Sequence, residues 1–324
     1  MCTAVSFLTR DHYFGSNLDL EYSYEESVTI TPRNYPFRFR NGTELPTHYA
    51  LIGMAYVYEN TPLYYEATNE KGLSMAGLNF PGYAVYHPAA PGKENIASFE
   101  LLSWLLGQCA DLSEVREKLK NLQITDEAFS PQLPTSTLHW MVADRTGSLV
   151  LESVAEGLKI HENPVGILTN SPPFDYQMCN LCNYMALTRE FPENRFAPGL
   201  ELTPYSRGMG AMGLPGDLSS ASRFVKAVFT RMNSVCGSSE SESISQFFHI
   251  LSSVEQQRGC VHMGEGKYEF TIYSCCCNTD RGIYYYTTYE NSQITWVDMH
   301  KENLDGTELV SYPLVTGQQI LMQN

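Results

Sequence analysis

The sequence predicts an α+β layered fold in a single domain. Three observations carry that expectation. Predicted elements run strands, helices, strands, helices, strands along 324 residues, and no low-complexity linker, composition break or internal repeat divides them. Segregated order of this kind departs from the strand-helix alternation that a doubly wound parallel sheet requires. Hydrophobic residues make up 43% and charged residues 18%, enough apolar material for a large core. Strand-like segments at both ends of the chain are expected to share sheets. One domain over 1–324 is therefore favoured, although the length would also fit two domains of about 150 residues.

The first segment alternates. Thr3–Leu8 and Tyr13-Phe14 flank a polar turn at Thr9–His12, which predicts a hairpin. Val28–Ile30 stops at Thr31-Pro32-Arg33-Asn34, where proline and asparagine favour a turn. Tyr49–Tyr58, Leu63–Ala67 and Leu73–Leu78 read as strands, the last preceded by the turn Asn69–Gly72. Ile96–Cys109 has apolar residues at helical spacing, and Asp111 with Glu114 opens a second helix over Leu112–Leu122 as a capping box does. Two prolines and several hydroxyl residues make Asp126–Thr137 a long loop. Short strands are predicted at Leu138–Asp144, Ser148–Ser153, Leu158–His161 and Val165–Thr169. Helical patterns return at Tyr176–Thr188, Ser220–Met232 and Ile244–Gln256, the first two divided by the Gly/Pro-rich stretch Gly208–Gly216. Tyr268–Cys276, Gly282–Tyr289 and Gln293–His300 complete the chain as strands.

Charge and composition narrow the function. With 21 basic and 36 acidic side chains the formal charge is −15 and the pI about 4.9. Nucleic-acid binding needs clustered Lys and Arg to meet phosphates, so no nucleic-acid partner is expected. The apolar run Leu101–Leu106 is far too short for a bilayer span of ~20 residues, and the N-terminus has no basic segment followed by an apolar stretch. No membrane association and a soluble cytoplasmic location are the expectation. Nine cysteines, an odd number without framework spacing, fit free thiols in a reducing compartment. Cys179-x-x-Cys182 and Cys275-Cys276-Cys277 raise a metal or redox alternative. A zinc site needs two such pairs or added histidines, so core packing is expected for all five and no metal or cofactor is expected.

Met1-Cys2-Thr3 is where chemistry can start. A small residue at position 2 permits removal of the initiator methionine, leaving cysteine at the mature terminus. Its α-amine titrates near ~7.7–8.0 and its thiol near ~8.5, so one residue holds both nucleophile and base. Taken alone, a cysteine there merely opens a strand. Several ordered motifs add to it: Tyr13-Phe-Gly-Ser-Asn-Leu-Asp19, Asn69-Glu-Lys-Gly-Leu73, Ala76-Gly-Leu-Asn-Phe-Pro81, Leu138-His-Trp140, Leu168-Thr-Asn-Ser-Pro172, Gly213–Asp217 with Ser222-Arg223-Phe224, and Tyr284-Tyr-Tyr286. In this order, from Met1 past Glu302–Asp305, the chain resembles the choloylglycine hydrolases, the bile salt hydrolase and penicillin V acylase group of N-terminal nucleophile hydrolases.

The resemblance implies a four-layer αββα sandwich, two antiparallel sheets between helical layers. It implies a bacterial cytosolic amidohydrolase, commonly a homotetramer, that cleaves an amide through a thioester on Cys2 without metal or organic cofactor. By the same resemblance Asp19 positions the α-amine, Asn79 helps form the oxyanion hole, Asn170 lies beside the nucleophile, and Arg223 lies near the thiol, where positive charge favours thiolate. Asn79 matches the bile salt hydrolases, since penicillin V acylases tend to carry tyrosine there. Conjugated bile salts are thus the expected substrates, with penicillin V the alternative. Leu18, Tyr58 and Leu138 fall where the family has apolar pocket walls, and each would otherwise pass as core. Arg207, in Tyr205-Ser206-Arg207-Gly208, resembles taurine-preferring versions and suits a sulfonate. One departure stands out. Position 16 is serine where most bile salt hydrolases carry arginine, which predicts altered rate or pH dependence and leaves a catalytically weakened bile-salt-binding protein as a further alternative.

Overall fold

The computed structural model describes residues 1–324. The expected hairpin is present as Cys2–Leu8 and His12–Leu20, and it supplies two inner strands of the first antiparallel sheet. In spatial order that sheet runs Ile167–Leu168, Cys2–Leu8, His12–Leu20, Lys267–Asn278, Ile283–Thr288, Asn291–Asp298, with Val261–Gly264 attached to Lys267–Asn278. The second sheet runs Gly157–Glu162, Gly147–Val154, Leu138–Asp144, Ser74–Asn79, Thr61–Asn69, Leu51–Tyr58, Ser27–Thr31, Val310–Pro313, again all antiparallel. Strands from both chain ends pair in each sheet, as the element order predicts.

Helices cover the two outer faces. Helix α1 (Leu101–Gln108) and helix α2 (Leu112–Leu119) pack on the second sheet. Helix α3 (Phe174–Leu181) lies against helix α4 (Ser220–Asn233), which with helix α5 (Glu240–Ser252) covers the first sheet. The result is an αββα sandwich. Strands buried on both faces lose the alternation of half-exposed ones, which accounts for Cys2–Phe7 and Cys275-Cys276-Cys277 being buried throughout. Gly15 is fixed by close approach of backbones: a Cβ there would stand 2.0 Å from the Cys275 carbonyl oxygen.

Several boundaries differ from expectation. Ile96 and Ala97 belong to a short strand, Glu94–Ala97, which pairs in parallel with Leu122–Thr125. Glu100 then opens α1, its carboxylate accepting from the Arg40 backbone N–H at 2.8 Å. The helix expected over Tyr176–Thr188 ends at Leu181 and tightens into a 3₁₀ turn, Cys182–Tyr184. Met185 beyond it is 82% exposed, so no packing surface sustains further helix. Cys179 and Cys182 are exposed, which corrects their expected place in the core; all nine cysteines are free thiols. No helix is long and apolar enough to cross a membrane.

Candidate active site

Cys2 begins the first strand and is only 6% exposed, so its position is set by the sheet and not by a mobile terminus. Across the hairpin it pairs with Leu18, placing that side chain on the same face. The Cys2 backbone N–H donates to Asn170 Oδ1 at 2.7 Å. Asn170 stands two residues beyond Ile167–Leu168, the strand that pairs with Ala4 and Val5. Preceding Cys2, the Met1 ammonium meets the Asp19 carbonyl oxygen at 2.5 Å and Glu269 Oε2 at 3.0 Å. Burial pushes the Cys2 thiol up, and the nearby ammonium and Arg223 pull only partly against it.

Arg223 ties these pieces together from α4. It is 1% exposed, and its Nη1 donates to the Cys2 carbonyl oxygen at 2.7 Å and to Thr3 Oγ1 at 2.6 Å. Its Nη2 donates to Asn170 Oδ1 at 2.8 Å. The Asp19 carboxylate is completely buried 3.9 Å from the guanidinium. Thr271 Oγ1 donates to Asp19 Oδ1 at 2.6 Å and Gln256 Nε2 lies 3.5 Å from Oδ2. Burial raises the Asp19 carboxyl despite the charge of Arg223. Four residues expected in one site, Cys2, Asp19, Asn170 and Arg223, thus meet at the ends of three adjacent strands and one helix.

Asn79 joins them from the other sheet, at the last position of Ser74–Asn79. Asn170 Nδ2 donates to its carbonyl oxygen at 2.7 Å, and its own Oδ1 accepts from Thr137 Oγ1 at 3.0 Å. The Asn79 side chain is exposed, with its NH₂ uncommitted inside the protein. Tyr58 is half-buried at the end of Leu51–Tyr58, edge-on to Phe129 at 5.8 Å. Leu138 is paired with Asn79 but packs into the cluster under α1 and α2, together with Trp140, so it is in part a core residue. Arg207 is exposed on the segment leading into a 3₁₀ turn, Met209–Ala211, apart from the buried cluster.

Sequence reasoning did not single out Thr271, Gln256 or Glu269. Each meets the site only through sheet pairing or a loop far away in sequence, and no local motif marks it. Glu66 was missed for the same reason. Its completely buried carboxylate accepts from Ser16 Oγ at 3.1 Å, Tyr273 Oη at 2.8 Å and Tyr284 Oη at 2.5 Å. Desolvation dominates over those hydrogen bonds and pushes the carboxyl up to about 7. Ser16 and Leu18 share one face of the strand, so this carboxyl lies one pair along from Cys2.

A cysteine opening an inner strand of one sheet of an αββα sandwich, with a buried Arg–Asn–Asp cluster around it, defines an amidohydrolase of the N-terminal nucleophile class. Residues 2–312 match the model of the "Linear amide C-N hydrolases, choloylglycine hydrolase family". The chain belongs to the choloylglycine hydrolase family. It is 56% identical over 324 residues, all of both chains, to the bile salt hydrolase/transferase of Lactiplantibacillus plantarum. Identity to the bile salt hydrolase/transferase of Clostridium perfringens is 42%, over 96% of each chain. A crystal structure of a mutant conjugated bile acid hydrolase from C. perfringens superposes with a TM-score of 0.92 at 40% identity, covering 100% of both chains. The penicillin V acylase of Agrobacterium tumefaciens has the same fold, with a TM-score of 0.77 at 18% identity over 97% of this chain and 92% of that one.

Proposed function

We propose that the chain hydrolyses the amide of taurine- or glycine-conjugated bile acids through a thioester on Cys2. The observation that carries this reading is the buried cluster of Arg223, Asn170 and Asp19 around a cysteine one residue from the amino terminus. The names of the two curated relatives supply the substrate class.

Removal of Met1 turns the Cys2 peptide nitrogen into an α-amine. That amine takes the thiol proton, and the thiolate attacks the amide carbonyl. Negative charge on the carbonyl oxygen is met by the uncommitted NH₂ of Asn79, whose backbone Asn170 Nδ2 holds by donating to its carbonyl oxygen; one such donor is worth about 3–4 kcal/mol of barrier. The C–N bond breaks as the ammonium returns its proton to the leaving amine, and water then attacks the thioester, restoring the thiol and releasing the bile acid. Asp19 and Arg223 keep the amine and Asn170 oriented. An amine in place of water would give transfer instead of hydrolysis.

Leu18 and Tyr58 serve as apolar walls for the steroid, with Leu138 at the edge beside Asn79. Arg207 meets the anionic end of the conjugate, favouring taurine. The protein works as a cytoplasmic homotetramer; exposed apolar side chains between Met185 and Met212, among them Phe191, Phe196, Tyr205 and Met212, supply a surface suited to subunit contact. The test is a panel of taurocholate, glycocholate and penicillin V, following amine release with a Cys2→Ala control. Cys2-dependent release from the bile salts and little from penicillin V is expected. Preference for penicillin V would overturn the substrate assignment, and bile-salt binding without release would leave only a binding protein.

A further inference from the structure

The reaction above makes no use of His139, which lies in Leu138–Asp144 on the face opposite Leu138 and Trp140 and is completely buried. Its Nε2 is 2.7 Å from the Thr169 carbonyl oxygen and its Nδ1 is 3.2 Å from Glu152 Oε1. A carbonyl and an ionised carboxylate both only accept, so each ring nitrogen must bring its own proton. Burial works to raise the Glu152 carboxyl, while hydrogen bonds from His139 and His161, the His139 charge and the Phe174 N–H lower it to about 2, so an ionised Glu152 and a charged ring stand together as one pair. The same Glu152 Oε1 also accepts from the Phe174 backbone N–H at 2.9 Å, and His161 Nε2 lies 3.4 Å from Oε2. Glu152 directly, and His161 through it, are the titratable groups against the ring.

The imidazole touches both the segment that carries Asn79 and the one that carries Asn170. Phe80, next after Asn79, stacks on it with centroids 4.2 Å apart and planes 5° from parallel. Thr169, its carbonyl partner, immediately precedes Asn170. The hydrogen bond from Asn170 Nδ2 to the Asn79 carbonyl oxygen closes the circuit. A charged ring gains from the Phe80 face as well as from Glu152.

We infer that His139 is a positioning residue: a doubly protonated imidazolium, ion-paired with Glu152, that holds Asn79 and Asn170 in register beside Cys2. The inference rests on the thioester reading for its kinetic consequence, while the protonation of the ring does not. Loss of this clamp moves the Asn79 oxyanion donor without touching the nucleophile, and a displacement of about 1 Å at such a group costs on the order of 100-fold in rate.

The experiment has two arms on the Met1-processed protein. In ¹⁵N-histidine-labelled protein, the His139 signals (assigned by their loss in His139→Gln) are expected to show a directly bonded proton on both nitrogens at pH 7; a neutral ring overturns the inference. In glycocholate hydrolysis, His139→Phe keeps the stacking but no donor, so kcat is expected to fall about 100-fold with KM changed less than about threefold. Alkylation of Cys2 by iodoacetamide should stay within about twofold of the parent, and His139→Gln, which can still donate to Thr169, should recover about 10-fold of the loss. An unchanged kcat overturns the inference. So does a parallel fall of kcat and alkylation, which would mean general damage to the fold. A parent silent on both glycocholate and taurocholate defeats the proposed function, and the labelled ring then decides the inference alone; a parent active on taurocholate only moves the kinetic arm to that substrate.

Discussion

Arg223 shows how a residue at the site depends on partners that only the fold supplies. Its guanidinium satisfies Cys2, Thr3 and Asn170 and faces Asp19 with almost no exposure. Arg223→Leu leaves a buried carboxylate without its cation, so chemical denaturation is expected to show a loss of about 3–5 kcal/mol together with activity. Asn79→Ala removes an exposed donor instead, and is expected to lower kcat by roughly 100-fold while leaving the denaturation midpoint nearly unchanged. Glu66 makes a pH prediction. Its folded carboxyl titrates near 7 against an ordinary 4.5, so the folded state holds the proton more tightly. Its contribution to stability is fully present below about 4.5 and is lost as pH rises through 7, a change on the order of 3 kcal/mol. Glu66→Gln should remove that fall when denaturation is compared at pH 5 and pH 8, and Ser16→Arg should also suppress it by placing a cation beside the carboxylate. Equal pH dependence in parent and Glu66→Gln would contradict the assignment. The motifs make Cys2, Asp19, Asn79, Asn170 and Arg223 legible because each lies within a short, ordered signature. Glu66 and His139 are not legible as partners of the site, since their contacts cross between strands 50 and 30 residues apart.

Among the elements, local chemistry is legible where a cap or turn fixes it. Asp111 accepts from the backbone N–H groups of Ser113 and Glu114 at 2.9 and 3.0 Å, and Glu114 reaches back to the Ala110 N–H. The start of α2 was therefore readable, and Asp111→Ala is expected to cost about 1 kcal/mol in denaturation. Helix ends were less so. Ile96 and Ala97 continue the helical spacing of α1, yet their backbone is taken by the parallel pairing with Leu122–Thr125. That choice depends on a strand whose paired residues lie 28 positions onward (Ile96 with Ile124, Ala97 with Thr125) and leaves no local trace. Val310–Pro313 was missed because it alternates over only four residues; it closes the edge beside Ser27–Thr31, with Pro313 at the rim where a missing N–H costs nothing.

At the scale of the molecule, element order was enough to predict layered sheets sharing both chain ends, while the αββα arrangement followed from the family likeness. What order could not supply was the meeting of the sheets: Cys2 and Asn170 come from one, Asn79 from the other, and the site exists only at that seam. The proposed tetramer should appear as a single species of four chains in light scattering, and a monomer would remove the role given to the exposed Met185–Met212 side chains. The chemistry itself turns on a free Cys2 amine. Rapid quench during glycocholate turnover, followed by intact mass and peptide mapping, tests it most directly. A chain lacking one methionine, with a bile acyl group on Cys2 that hydroxylamine releases, is the predicted species. Full turnover by a chain that retains Met1, or by Cys2→Ala, would contradict the account.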